Sequence, residues 1–201
     1  MTASGTPLSR EEEHFRRQEM ELIEKIRQRN LLAEDRRGMG EALGVANESI
    51  LAELQAMGFS RETVTLLHLV PLVQVGWIDG EISRAEAQRI FEAARLRGVV
   101  KDSAAYRLLE DWMERRPSGE FFEKSLRIIR DILGALPEDQ RRSGVHSLVS
   151  CCTEIAAASG GLLGVGSRIS SAEKEALAAI ALELERHHAA AARNIVEGVY
   201  G

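Results

Sequence analysis

The feature that most restricts how this chain can fold is a motif that occurs twice. Trp77-Ile78-Asp79-Gly80-Glu81-Ile82-Ser83-Arg84-Ala85-Glu86 has a later counterpart in Ala158-Ser159-Gly160, a glycine-rich insertion, and Arg168-Ile169-Ser170-Ser171-Ala172-Glu173. Each copy reads as the end of an apolar helix, a small or acidic residue beside glycine, and then Ile-Ser-x-Ala-Glu opening another helix. The second copy carries seven more residues between its glycine and its isoleucine. Such self-similarity predicts two helix–turn–helix units related by an approximate twofold, each covering the apolar face that the other cannot bury alone.

The rest of the chain agrees with an all-α fold, a compact helical bundle. Helical periodicity runs over about Ser83–Arg97, Ser103–Arg115, Gly119–Leu136, Glu138–Ala158 and Ser170–His188. No run alternates as a strand does, and the turn signals Pro117-Ser118-Gly119 and Leu136-Pro137 fall between helices. An apolar run from Thr63 to Ile78 contains Pro71, which either kinks that helix or marks its real start. With 44% hydrophobic residues and 4% aromatic ones, the core is expected to be aliphatic.

Residues 1–58 read as a charged N-terminal helical extension. Between Ser9 and Arg37 stand eight acidic and eight basic side chains, many at spacings that support an exposed helix, with a narrow apolar stripe of Phe15, Met20, Leu22, Ile23 and Ile26. That stripe predicts docking on the domain, on a second copy as a homodimer, or on a membrane surface. Gly38, Gly40 and Gly44 predict a hinge, followed by a helix over about Glu41–Met57 that ends at Gly58. The compact domain is expected over residues 59–188, starting near Ser60, and residues 189–201 form an Ala-rich C-terminal tail.

Charge and length exclude some classes of function. A net charge of −5 supplies no basic surface for nucleic acid. The stretch Thr63–Ile78 contains His68, Pro71 and Gln74 and falls short of a transmembrane span, and the charged N-terminus has no apolar secretory core. The cytoplasm is the expected compartment. Cys151 and Cys152 are neighbours that project about 100° apart on a helix, so they read as packing residues of a reducing compartment rather than a disulfide.

The two turns carry the candidate site. Ser-x-x-Glu is a capping box, so Ser83 with Glu86, and Ser170 with Glu173, are explained by helix initiation alone. Aligned to a calcium loop, Gly80 takes the sixth position, Asp79 the fifth and Glu86 the twelfth, but Val75 and Trp77 stand where the first and third ligands belong. Asp79, Glu81 and Glu86 remain around one turn, with Glu173 joining them if the twofold holds. They are candidate ligands for a divalent cation such as calcium, or carboxylates favoured by the positive ends of helix dipoles.

At these residues the chain resembles the tellurite-resistance TerB family, over roughly Thr63 to Leu184. The segments Trp77–Glu86 and Ala156-Ala157-Ala158-Ser159-Gly160-Gly161 through Ile169-Ser170-Ser171-Ala172-Glu173-Lys174 look like that family's two signature turns. The resemblance implies a compact helical domain in the cytoplasm or at the inner face of a bacterial membrane, a role in tellurite and other chemical-stress responses, and acidic residues proposed to bind metal. Here these carry over as Asp79, Glu81, Glu86 and Glu173. Ser159 stands where the family often has an acidic residue.

No catalytic signature emerges. The glycine-rich stretch Gly160–Ser167 lacks the Gly-Lys-Ser/Thr ending of a phosphate loop and follows a helix. His187 and His188 have no partner one turn away, and His68 and His146 read as packed core histidines on apolar helices. The sequence therefore predicts a non-enzymatic module that binds protein partners, with a divalent-metal sensor as the alternative.

Overall fold

The computed structural model describes residues 10–159 and 171–184. The expected helix from Ser170, the second capping box, the Gly160–Ser167 stretch, His187–His188 and the tail 189–201 lie wholly or partly outside them. Among the described residues the elements are all helical: α1 Arg10–Leu43, α2 Glu48–Ala56, a 3-10 helix Val64–Leu69, α3 Val70–Gly76, α4 Arg84–Leu96, α5 Ala104–Glu114, α6 Gly119–Gly134 and α7 Glu138–Ser159. A last helix, α8, covers residues 171–184.

Four helix starts, those of α2, α4, α5 and α6, follow from side-chain capping. The Ser83 hydroxyl accepts from the Glu86 N–H at 3.3 Å, and the Glu86 carboxylate accepts from the Ser83 N–H at 2.8 Å, completing a capping box. Ser103 and Ser118 accept from the N–H of Tyr106 and Phe121, each at 3.1 Å. Asn47 accepts from Ser49 N–H at 3.0 Å and so opens α2. Each such oxygen satisfies one of the N–H groups that a helix start leaves without a partner. Pro71 sits in the first turn of α3, where its missing N–H costs nothing, so it marks the start of that helix instead of kinking a longer one.

The expected glycine hinge is not present. α1 runs unbroken through Gly38 and Gly40 and ends only before Gly44, whose φ of +66° closes the helix. The helix expected over Glu41–Met57 is accordingly two pieces, the last residues of α1 and the separate α2. Gly38 and Gly40 serve close packing: a Cβ on Gly38 would lie 2.9 Å from Arg61 Cβ, and one on Gly40 would lie 2.7 Å from the Val45 carbonyl oxygen. Among the described residues, helix α1 is fastened at this end only. Asp35 accepts from Arg61 N–H at 2.9 Å, and Arg36 donates to Gln55 at 2.8 Å.

The 3-10 helix is the hub of the core. Val64, Leu66, Leu67 and Leu69 are buried, and the segment packs against α1, α3, α4, α5 and α6. α7 lies across α3 and α4, and α6 packs on α3. Met39 of α1 and Leu51 and Leu54 of α2 belong to the same buried cluster as Leu66, Ile90 and Ile128, although they precede Ser60. Aromatic rings gather at one end, with Phe59 6.0 Å from Trp112 and Trp112 5.3 Å from Phe121. Ion pairs bridge helices outside the apolar core, with Arg127 of α6 on Glu53 of α2, and Arg130 of α6 on Glu183 of α8 at 2.5 Å.

Among the described residues two buried side-chain oxygens lack a hydrogen-bond partner, Gln74 Oε1 and the Ser125 hydroxyl. The Ser125 hydroxyl on α6 is fully buried in the core, and no described residue bonds it. Desolvating it costs free energy that no bond offsets, so Ser125→Ala is expected to stabilise the fold by about 1 kcal/mol. A urea unfolding curve whose midpoint falls for this variant would show that the hydroxyl is satisfied in solution.

Candidate functional site

The α3–α4 connection is built from Trp77 to Ser83. Trp77 closes α3, its ring packs in the core, and its indole N–H donates to the Trp112 carbonyl oxygen at 2.8 Å, which ties the turn to the end of α5. Gly80, with φ of +93°, lets the chain reverse after Asp79, a conformation that a side chain disfavours. Ile82 then packs back against the core, and Ser83 starts α4.

The four acidic residues singled out from the sequence separate into two kinds. Asp79 and Glu81 are exposed on the turn, whereas Glu86 and Glu173 are only 3% and 2% exposed. The structure brings the two buried ones within electrostatic reach of each other, one at the start of α4 and one in the first turn of α8. Asp79 lies close enough to add to the negative field at Glu86. Burial raises the Glu86 pKa; its bonds to Ser83 oppose that rise, and the Glu173 and Asp79 charges reinforce it.

A raised carboxylate pKa means that the folded state holds its proton more firmly than the unfolded chain does. The stabilising contribution of this group is therefore full at low pH and lost as pH rises through the folded-state pKa. Glu86→Gln keeps a capping side chain, since glutamine also serves at that position. The variant is expected to match or exceed the parent in stability near neutral pH and to lose that advantage on acidification below the carboxylate range. Urea titrations at both conditions check this, and an equal loss of stability at both would exclude a burdened Glu86 charge.

As a cation site the arrangement is incomplete. Among the described residues no group of three or more histidine, cysteine, aspartate or glutamate side chains is placed to hold a metal ion. Glu86 already spends a carboxylate oxygen on its own helix start, and Asp79 and Glu81 point their charge at solvent. Hard cations need several converging oxygens, so these residues as placed do not form a coordination set.

Comparison with protein-family models, curated proteins and solved structures finds no match.

Of the remaining titratable candidates, His146 departs from its sequence reading, while His68 and Cys152 agree with theirs. His146 is exposed on α7, not packed, because α7 directs Val145 and Leu148 inward and turns His146 to solvent. His68 is partly buried in the 3-10 helix, and burial, helped by the Arg97 charge, lowers its pKa, as a neutral packed histidine requires. Cys152 is fully buried and its thiol is pushed up to about 12, chiefly by burial, so it behaves as a small apolar side chain. No helix of the described residues is long and apolar enough to cross a membrane.

Two surface features had weaker signals in the sequence. A groove of about 1180 Å³ runs beside the α1–α2 connection and the α6–α7 junction, with Leu43, Val45 and Ile132 among its apolar walls and Glu53, Arg127 and Arg141 among its charged ones. It is assembled from residues far apart in the chain, so no local motif announces it. The second feature is α1 itself. Every residue from 14 to 34 is exposed, including Phe15 at 69%, Leu22 at 58% and Ile26 at 52%. The alternation of apolar and charged side chains there is visible in the sequence, but only the structure shows that none of the described residues covers it.

Proposed function

We propose that this chain is a non-enzymatic, TerB-like helical interaction module of a bacterial tellurite or chemical-stress response system, and that α1 is its principal contact element. The observation that carries the reading is the exposed length of α1: residues 14–34, about 30 Å of helix, present large apolar side chains that no described residue buries. Most helical stability in proteins comes from packing of an apolar face, so a patterned apolar face left exposed points to a macromolecular partner. The link to tellurite and chemical stress rests on the resemblance of the Trp77–Glu86 and Ala156–Lys174 segments to the TerB turns. Affinity capture with the full chain and with a version lacking residues 9–37 tests the module. The shorter chain is expected to lose most of the partners, and identical partner sets would remove α1 from the reading.

A divalent-metal sensor built on Asp79, Glu81, Glu86 and Glu173 is the competing reading, favoured by the approach of Glu86 to Glu173 and opposed by the incomplete ligand set. Calorimetric titration with calcium, magnesium, manganese and zinc separates the two. The expected result is no binding tighter than roughly millimolar, the weak end of the range for calcium sites. Tighter binding that Asp79→Asn or Glu81→Gln abolishes would replace the module reading with the sensor.

A further inference from the structure

We propose that α1 pairs antiparallel with α1 of a second copy of this chain, about a twofold axis passing near Glu24. This deepens the module reading by naming the occupant of the exposed stripe.

Phe15, Leu22, Ile26 and Ala33 are spaced by seven, four and seven residues and are all exposed. These are four of six consecutive seam positions of a coiled coil, and the two positions that complete the seam between Phe15 and Ala33 are Glu19 and Arg29. Reversing the helix about Glu24 sets Phe15 opposite Ala33, Glu19 opposite Arg29 and Leu22 opposite Ile26, and repeats each pair on the other side of the axis. Every pair is complementary: a large ring meets a methyl group, a carboxylate meets a guanidinium, and two branched aliphatics meet each other. Ile23, beside the seam, meets its own copy close to the axis.

Charge selects this orientation. A parallel, in-register pair would set Glu19 on Glu19 and Arg29 on Arg29 within the seam, and like charges brought together there disfavour association. The antiparallel pair converts the same four side chains into two ion pairs. Its one repulsive contact is Lys25 with its own copy, at the flank where a long stem carries the ammonium out to water. Other occupants fit less well. α1 is a single unbroken helix from Arg10 to Leu43, so residues 14–34 cannot fold back onto their own domain. A lipid surface would meet Glu19 and Arg29 in the middle of the apolar stripe, and the Ser9–Arg37 segment, with eight charges of each sign, offers anionic headgroups no net attraction.

The test is sedimentation equilibrium of the full chain at roughly 10–100 µM, where a short two-helix seam associates measurably. The parent is expected to be dimeric. Glu19→Arg and Arg29→Glu are each expected to weaken the dimer at least about tenfold, and the double variant, which restores both pairs with their signs exchanged, is expected to return to within about threefold of the parent. Because residues 14–34 lie outside the folded core, circular dichroism of the thermal transition should be shared by all four proteins.

Orientation is read by cross-linking in a Cys151→Ser background. Ile23→Cys is expected to form a disulfide-linked dimer on mild oxidation. Phe15→Cys is not, since the two copies of residue 15 would stand about 27 Å apart, far beyond disulfide reach. A monomeric parent, single charge reversals without effect, or preferential linking through Phe15→Cys would each overturn the proposal. A monomer that still captures partners only when residues 9–37 are present would sink self-pairing and leave the module reading intact. A dimer with the same partners with or without those residues would do the opposite.

Discussion

Replacing Trp77 by alanine is expected to cost about 3–5 kcal/mol of stability, the range for truncating a large buried aromatic side chain. Trp77 is 9% exposed and packs in the core at the base of the Asp79–Gly80 turn. Its indole N–H is the link between that turn and the end of α5. Two effects combine in the alanine variant, and Trp77→Phe separates them. Phenylalanine keeps most of the apolar burial but leaves the Trp112 carbonyl oxygen without its donor, which should cost about 1–2 kcal/mol. Urea unfolding followed by circular dichroism measures both, with Trp112 as an independent fluorescent reporter. A cost below about 1 kcal/mol for Trp77→Ala would mean that the turn is not anchored through this ring.

Gly40→Ala is expected to destabilise the fold by about 1–3 kcal/mol, although alanine is the better helix former by about 1 kcal/mol. The sign is what makes the experiment informative. If Gly40 were a hinge or an ordinary exposed helical glycine, alanine would stabilise. In the structure an added Cβ would stand 2.7 Å from the Val45 carbonyl oxygen and 3.1 Å from Leu51 Cδ1. The Val45 N–H, in turn, donates to the Gly40 carbonyl at 2.9 Å, so the chain cannot move aside without losing the bond that closes α1. Thermal unfolding of Gly40→Ala beside Gly44→Ala gives the comparison. At Gly44 the added methyl meets nothing, and only the left-handed backbone opposes it, at about 1 kcal/mol. A rise in melting temperature for Gly40→Ala would restore the hinge.

The candidate site was partly legible before the fold was known. The Ser83–Glu86 capping box is a local interaction among four consecutive residues, so the sequence contains all of its parts, and the structure forms it with both bonds present. The meeting of Glu86 with Glu173 was legible only as a consequence of the repeated motif, because residues this far apart are joined by packing and not by local preference. Their burial was not legible at all. Asp79, Glu81 and Glu86 stand within eight residues of one another in the sequence, yet two are exposed on the turn and one is buried. His146 went astray for the same reason: an apolar helix has an exposed face, and periodicity of one helix does not say which face a neighbour will take.

What the sequence determined by itself is therefore the local part of this protein. It set the all-helical class through hydrophobic period, the starts of α4, α5 and α6 through serine caps, and the start of α3 through Pro71, because caps and proline act within one turn of chain. Only the tertiary structure decided that α1 continues through two glycines, that Val64–Leu69 winds as a 3-10 helix at the centre of the core, and that one carboxylate of the acidic turn is buried beside its counterpart from the second copy. Those outcomes depend on close approach between segments distant in sequence, where packing outweighs the small intrinsic preference of any single residue. The stripe on α1 belongs to both accounts: its spacing is written in the sequence, and its freedom to meet a partner follows from where the fold ends.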